Sequence, residues 1–201
     1  MGTDTDARHG GVLIITAHPD PDSLSRTIAR ALAEALAPEG AEVADLADEG
    51  FDPRFGPDDR ATYVGRAAPP ADVVAEQERI DAVTDLVLVF PVHWWTLPAQ
   101  LKGWIDRVFI AGWAFDGGED GVVPLLGRLR IHLIPVAGST EESFARHGYT
   151  AAFAAQVEHG IVEFCGARRG ATAFVHDSSS GDRTQVSRTV ETVAAAVRSP
   201  H

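Results

Sequence analysis

The 201-residue chain is predicted to fold as a doubly wound α/β protein, with a five-stranded parallel sheet in the order 2-1-3-4-5 and helices on both faces. Three observations predict this. Residues 12–16 (VLIIT) and 85–90 (DLVLVF) are continuous apolar runs of strand length, the pattern of strands buried on both faces. Such runs alternate with segments of helical period, and parallel neighbours need a helical crossover. Five strands in a chain of this length fit one domain over residues 11–198 and favour that order over a six-stranded dinucleotide fold.

In chain order, residues 1–10 read as a loose polar tail, and strand 12–16 leads to a helix capped by Asp22 or Ser23. The apolar stripe of that helix is Leu24, Ile28, Ala31, Leu32, Ala35 and Leu36, and Pro38 and Gly40 end it. A short second strand covers 41–46, and residues 48–69, rich in proline and glycine, read as loop. Residues 70–82 form a helix with Val73, Val74, Gln77 and Ile80 on one side. The third strand, 85–90, is followed by a helix over 98–109 and then a glycine-rich loop to about Pro124. The fourth strand, 130–136, carries Pro135 near its C-terminal end, where a missing donor costs least. Residues 136–143 read as a loop and 150–164 as a helix ended by Gly166. The fifth strand is expected over 171–176 and the closing helix over 183–197.

A hydrophobic content of 45% is enough for a substantial core. The formal charge of −12 argues against a general nucleic-acid or anionic-membrane binder. No apolar run approaches membrane-spanning length and the N-terminus has no signal-peptide core, so a cytoplasmic location is expected. The single cysteine, Cys165, lies in the apolar string IVEFCGA and reads as an inert core thiol. Neither CxxC nor HExxH occurs, and no metal is expected.

Chemistry is expected at the loops leaving the strand C-termini, where open α/β sheets bind ligands. The loop after the third strand begins FPVHWW: His93, Trp94 and Trp95 follow Pro91 and Val92. Adjacent tryptophans there offer flat amphipathic surface for a planar, partly polar ligand. At least one of them is expected to pack into the core, as large aromatics beside strand ends usually do. The loop after the first strand holds His18, Ser23, Leu24 and Ser25, with Arg26 near enough to add charge. It has neither GxGxxG nor a Walker loop, but a hydroxyl-rich entry to a helix N-terminus can hold a phosphate. A serine in this position is more often an ordinary helix cap than a phosphate ligand. The loop after the fourth strand offers Val136, Ala137, Gly138 and Ser139.

The strings AHPDPDSLSRT, FDPRF, EQERIDAVTDLVLVFPVHWWTLPAQLKGWIDRVF, GWAF and GIVEFCGA together resemble the NAD(P)H:quinone oxidoreductases of flavodoxin-like fold, over residues 12–166. The resemblance implies a flavin cofactor, FMN or FAD, with NAD(P)H as hydride donor and a quinone-like acceptor. It places phosphate and ribityl contacts on His18, Ser23, Leu24 and Ser25. Ring contacts fall on Pro91, Val92, His93, Trp94 and Trp95, and on Val136, Ala137, Gly138 and Ser139. Members of the family use a tyrosine and a histidine after the last loop; His147 matches the histidine, whereas Phe144 or Glu141 falls nearest the tyrosine. The resemblance further implies a homodimer with flavin near its interface.

The expected reaction is a ping-pong, two-electron reduction in which His147 donates a hydrogen bond or proton; its other reading is an exposed loop histidine. Amides at 138–140 are placed to stabilise negative charge on reduced flavin. Trp104 reads as core, Trp113 and Phe115 as a hydrophobic wall or dimer contact, and Asp106 and Arg107 as an ion pair. Two rival functions are an electron-carrier flavodoxin and a nucleotide- or flavin-binding regulatory subunit of a transporter.

Overall fold

A computed structural model describes residues 10–118 and 121–200. The expected N-terminal tail, Gly10 apart, and residues 119–120 of the glycine-rich loop lie outside them. The central sheet holds β1 (Gly11–Thr16), β2 (Ala41–Asp45), β3 (Val83–Pro91), β6 (Arg130–Val136) and β7 (Arg168–Thr172), in the order β2-β1-β3-β6-β7. All four pairings are parallel. Counted among sheet strands alone this is the predicted order 2-1-3-4-5. A two-stranded antiparallel hairpin, β4 (Phe115–Gly118) and β5 (Gly121–Pro124), lies between β3 and β6 in sequence.

Alternation along the strands divides the core into two layers. Leu13, Ile15, Leu86, Leu88, Phe90, Ile131 and Leu133 face one side, where they meet Ile80 of α3 (Ala71–Asp81) and Leu101, Trp104 and Val108 of α4 (Ala99–Val108). Val12, Ile14, Val87, Val89, Ile134 and Val136 face the other, against Ile28, Ala29 and Leu32 of α1 (Leu24–Ala35) and Val193, Ala194 and Val197 of α7 (Arg183–Arg198). Ser23 caps α1 by accepting the Arg26 N–H, and Gly40 ends the following turn in the left-handed region.

Several elements differ from the sequence expectation. Within the expected loop 48–69 lies α2 (Pro57–Tyr63): Pro57 takes the first helical turn, where its missing N–H is no loss, and the Asp59 carboxylate accepts the Gly56 N–H at 2.7 Å. The glycine-rich loop pairs into the β4–β5 hairpin. The expected loop 136–143 contains the start of α5 (Glu141–Arg146), whose cap Thr140 accepts the Ser143 N–H. The next helix starts as α6 (Tyr149–Phe153) and widens into a π-helix over Ala154–Glu163. The last sheet strand begins at Arg168, earlier than expected, because β7 pairs through its polar RRG stretch with β6.

Asp106 and Arg107 do not pair with each other. Lys102 bonds Asp106 at 2.5 Å, while the buried Arg107 bonds Asp59 at 2.9 Å and Asp72 at 2.6 Å, holding α4 to α2 and α3. Trp104 is fully buried and donates its indole N–H to Glu76. Trp113 is half-buried and donates to Asp81, and Phe115 packs edge-on against Phe164. Cys165 is buried, and burial pushes its thiol up to about 11. Among the described residues no helix is long and apolar enough to cross a membrane.

Candidate functional site

The C-terminal ends of β1, β3, β6 and β7 open onto one cleft. Its backbone is continuous with the sheet. The Val92 N–H donates to the Val136 carbonyl at 2.8 Å, so the segments after β3 and β6 stay paired beyond the strands. The segment after β7 adds three more bonds: Ala137 N–H to the Val175 carbonyl, Ser178 N–H to Ala137, and Asp177 N–H to Ser139. A rigid frame therefore sets the spacing between the loops.

At the β1 end, a cavity of about 310 Å³ is lined by His18, Ser23, Leu24 and Ser25 together with Pro91, Val92, His93, Val136 and Gly138. The Asp20 N–H donates to His18 Nδ1 at 3.0 Å, so in the neutral ring Nε2 carries the hydrogen and is the donor left for a ligand. The 12-residue helix α1 begins here and directs its N-terminal amides and positive dipole end to the same place. Among the described residues no Lys or Arg lines this cavity. Arg26, expected to add charge, turns away: its guanidinium bonds Asp45 and Asp48.

A second cavity of about 250 Å³ adjoins the first and shares Val92 and Gly138 with it. Trp94, Trp95, Ala137 and Ser139 complete its predicted lining, so all thirteen residues expected to contact the ligand converge on the two cavities. Neither tryptophan is core, contrary to expectation. His93 and Thr96 exchange both backbone hydrogen bonds at 3.1 Å, closing a turn with Trp94 at φ 49° and Trp95 at φ 67°. Two consecutive left-handed residues describe an I′-type turn, which ordinarily holds Asn-Gly, and each costs roughly 1–2 kcal/mol in an L-residue. The turn, closed by the His93–Thr96 bonds, places both indoles outside the core. Trp94 is 90% exposed, while Trp95 stacks on Tyr149 with centroids 4.0 Å apart and meets the edge of Phe144.

His147 stands outside both cavities. It is exposed, and its ring lies 5.5 Å from that of Tyr149, which separates it from Trp95. Sequence reasoning missed Asp20 and Ser178 as lining residues, while Phe144, one of the two residues it placed nearest the family's tyrosine, lines the second cavity. It also missed His176, whose Nδ1 lies 3.3 Å from the Ser139 carbonyl and whose ring packs on Phe144. The acidic pair Glu141–Glu142 after Thr140 marks the α5 start that places Phe144; the β7 loop residues arrive by pairing remote in sequence and leave no local signal.

The slot suits a planar ring beside a phosphate. One wall is an aromatic and proline segment, the other a backbone with a glycine at its centre, and a Cβ built on Gly138 meets no atom within 4 Å. Among the described residues no group of His, Cys, Asp and Glu could hold a metal ion.

A strand-end cleft of this kind, on a sheet of this order, defines a doubly wound ligand-binding protein. Residues 11–198 match the family model described as flavodoxin-like fold, and the chain belongs to that family. It is 30% identical over 179 residues to the ribosyldihydronicotinamide dehydrogenase [quinone] of Mus musculus, covering 77% of this chain and 76% of the relative. Its structure is similar to that of the NAD(P)H:quinone oxidoreductase from Methanothermobacter marburgensis, with a TM-score of 0.81 and 26% identity over 95% of this chain and 98% of the other. An FMN-dependent NADH-azoreductase of Bacillus anthracis, solved with FMN, shares the fold with a TM-score of 0.70 and 20% identity, covering 94% of this chain and 97% of the other.

Proposed function

We propose that the protein is a flavin-dependent NAD(P)H oxidoreductase that reduces a quinone or similar acceptor by two electrons in a ping-pong sequence. The observation that carries this is the paired cleft, a phosphate-sized cavity at the α1 N-terminus joined through Val92 and Gly138 to an aromatic-walled slot. When bound, a flavin supplies the hydride chemistry, taking hydride from NAD(P)H and returning it to the acceptor. The chain's residues bind and orient. His18 Nε2–H, the Ser23 and Ser25 hydroxyls and the first α1 amides hold the phosphate. Pro91, Val92, His93, Trp94 and Trp95 form one wall of the slot, and Val136, Ala137, Gly138 and Ser139 the other. The backbone N–H groups of residues 138–140 stabilise negative charge that develops between the walls. His147, whose ring lies 5.5 Å from that of Tyr149 and outside both cavities, is the proposed proton donor to the acceptor oxygen.

The same reading extends to FAD over FMN. A third cavity, of about 550 Å³, shares Leu24 and Ser178 with the phosphate cavity and continues between α1 and the start of α7, past Val175, Arg183, Gln185 and Val186. It is large enough for an adenosine attached through the phosphate. Residues 11–198 then act as one flavin-binding unit in the cytoplasm. A homodimer is supported by the exposed apolar side chains of Val122, Val123, Leu125 and Phe164 around the β4–β5 hairpin. The test is steady oxidation of NADH or NADPH by the purified protein with menadione, and the same assay on His147→Ala. Turnover is expected with the native chain and a loss of tenfold or more with the variant. No turnover by flavin-loaded protein would refute the enzyme, and unchanged turnover by the variant would refute the role of His147.

A further inference from the structure

Arg26 is buried in the first turn of α1, beside the phosphate-sized cavity but not lining it. Each of its guanidinium nitrogens is engaged. Nε donates to the His18 carbonyl at 3.0 Å and lies 2.6 Å from Asp45 Oδ2. Nη2 donates to Asp45 Oδ1 at 2.8 Å and Asp48 Oδ1 at 3.0 Å, and Nη1 to Asp48 Oδ2 at 2.9 Å. Asp45 is fixed in turn, because it ends β2 opposite Thr16 and its Oδ1 accepts the N–H groups of Ala47 and Asp48.

We propose that Arg26 is a positioning residue for phosphate recognition, acting through the His18 carbonyl. This deepens the flavin reading and rests on it. Besides the Arg30 Nη2 that donates to the Pro21 carbonyl at 3.1 Å, the loop from His18 to Ser23 has two anchors. One is local: Asp20 N–H to His18 Nδ1, Asp22 N–H to Asp20 Oδ1, and Ser23 N–H to the Asp20 carbonyl. The other is Arg26, which ties the His18 carbonyl to Asp45 at the end of β2 and Asp48 in the turn after it, 19 and 22 residues beyond Arg26 itself. With the backbone held at the carbonyl and the ring held at Nδ1, the remaining Nε2–H has a set direction. The cavity then recognises a phosphate with neutral donors and the helix end, while the Arg26 guanidinium is neutralised by two carboxylates. Direct binding by Arg26 would require it to leave Asp45, whose side chain is only 15% exposed, and strand that charge.

Phosphate-specific positioning predicts a split between flavins that a general loss of fold would not produce. The dissociation constants of FMN and of riboflavin, which lacks the phosphate, would be measured by fluorescence quenching for the full chain and three variants. Arg26→Gln is expected to weaken FMN about tenfold or more, and riboflavin less than about twofold. Arg26→Lys should recover only part of the loss, since one ammonium cannot span two carboxylates and a carbonyl. Asp48→Asn, at a side chain 69% exposed, tests the same link where the fold is not at stake. It should weaken FMN about two- to fivefold and leave riboflavin unchanged. Equal losses for both flavins, or no loss, would overturn the proposal. So would tighter FMN binding by Asp48→Asn, the result expected if a freed Arg26 touched the phosphate itself. A native chain that bound neither flavin would overturn the flavin reading together with this one.

Discussion

Gly138 separates what the fold requires from what the cleft requires. It lines both cavities, a Cβ on it meets no atom within 4 Å, and it is not among the glycines at positive φ. The fold therefore tolerates a side chain there, and only an occupant of the cleft would object. Gly138→Val should leave stability within about 0.5 kcal/mol, or raise it by about 0.4–1 kcal/mol by narrowing the unfolded ensemble. For a chain of this size that moves Tm by less than about 4 °C. Within the slot the added isopropyl group overlaps the space of an aromatic ring, and overpacking of this kind costs about 1–3 kcal/mol. Flavin affinity should fall about ten- to hundredfold, with Gly138→Ala intermediate. The assay pairs thermal unfolding of the apoprotein with a flavin titration. A Gly138→Val protein that binds flavin like the native chain refutes the placement of the ring, and one that unfolds refutes the account of the backbone.

Three further outcomes follow from the geometry. Trp94→Gly should be more stable than Trp94→Ala by about 1 kcal/mol, the reverse of the usual order, because only glycine takes φ 49° without strain; urea midpoints that rank the two the other way would remove the strain from the tryptophan turn. Gly103→Ala should destabilise by about 1–3 kcal/mol and lower Tm by several degrees, because its Cβ would sit 2.1 Å from the Pro53 carbonyl oxygen; a Tm equal to the native one would contradict the close packing of residues 51–55 on α4. Cys165 keeps its proton to about pH 11 in the folded state. The unfolded chain loses it near pH 9, so stability is held below that pH and falls between about pH 9 and about 11, a slope that Cys165→Ala should flatten in urea midpoints taken across that range.

The fold was legible where burial is two-sided. VLIIT and DLVLVF have the pattern of strands covered on both faces, as they are, and the stripe of Leu24, Ile28 and Leu32 belongs to one helix face. Elements made by pairing or capping were harder to see. FDPRFGPDD looks like a turn until Pro57 is placed in the first helical turn, and the β4–β5 hairpin is held by backbone bonds between glycine-rich segments. The candidate site was legible at thirteen positions because strand C-termini mark ligand loops in such sheets. The pose of Trp94 and Trp95 was not, since tryptophan has no turn preference that would suggest φ > 0. Nor was the direction of Arg26, which depends on Asp45 and Asp48 arriving from the next strand.

The central claim is that the cleft between residues 91–95 and 136–139 holds a flavin. It is tested most directly by the visible spectrum of the purified protein, with the mass of the cofactor released on denaturation. The account predicts flavin absorption bands and a released flavin, FMN or FAD, equimolar with the chain. Protein that purifies without flavin, and that shows no spectral change when titrated with FAD or FMN, would contradict it.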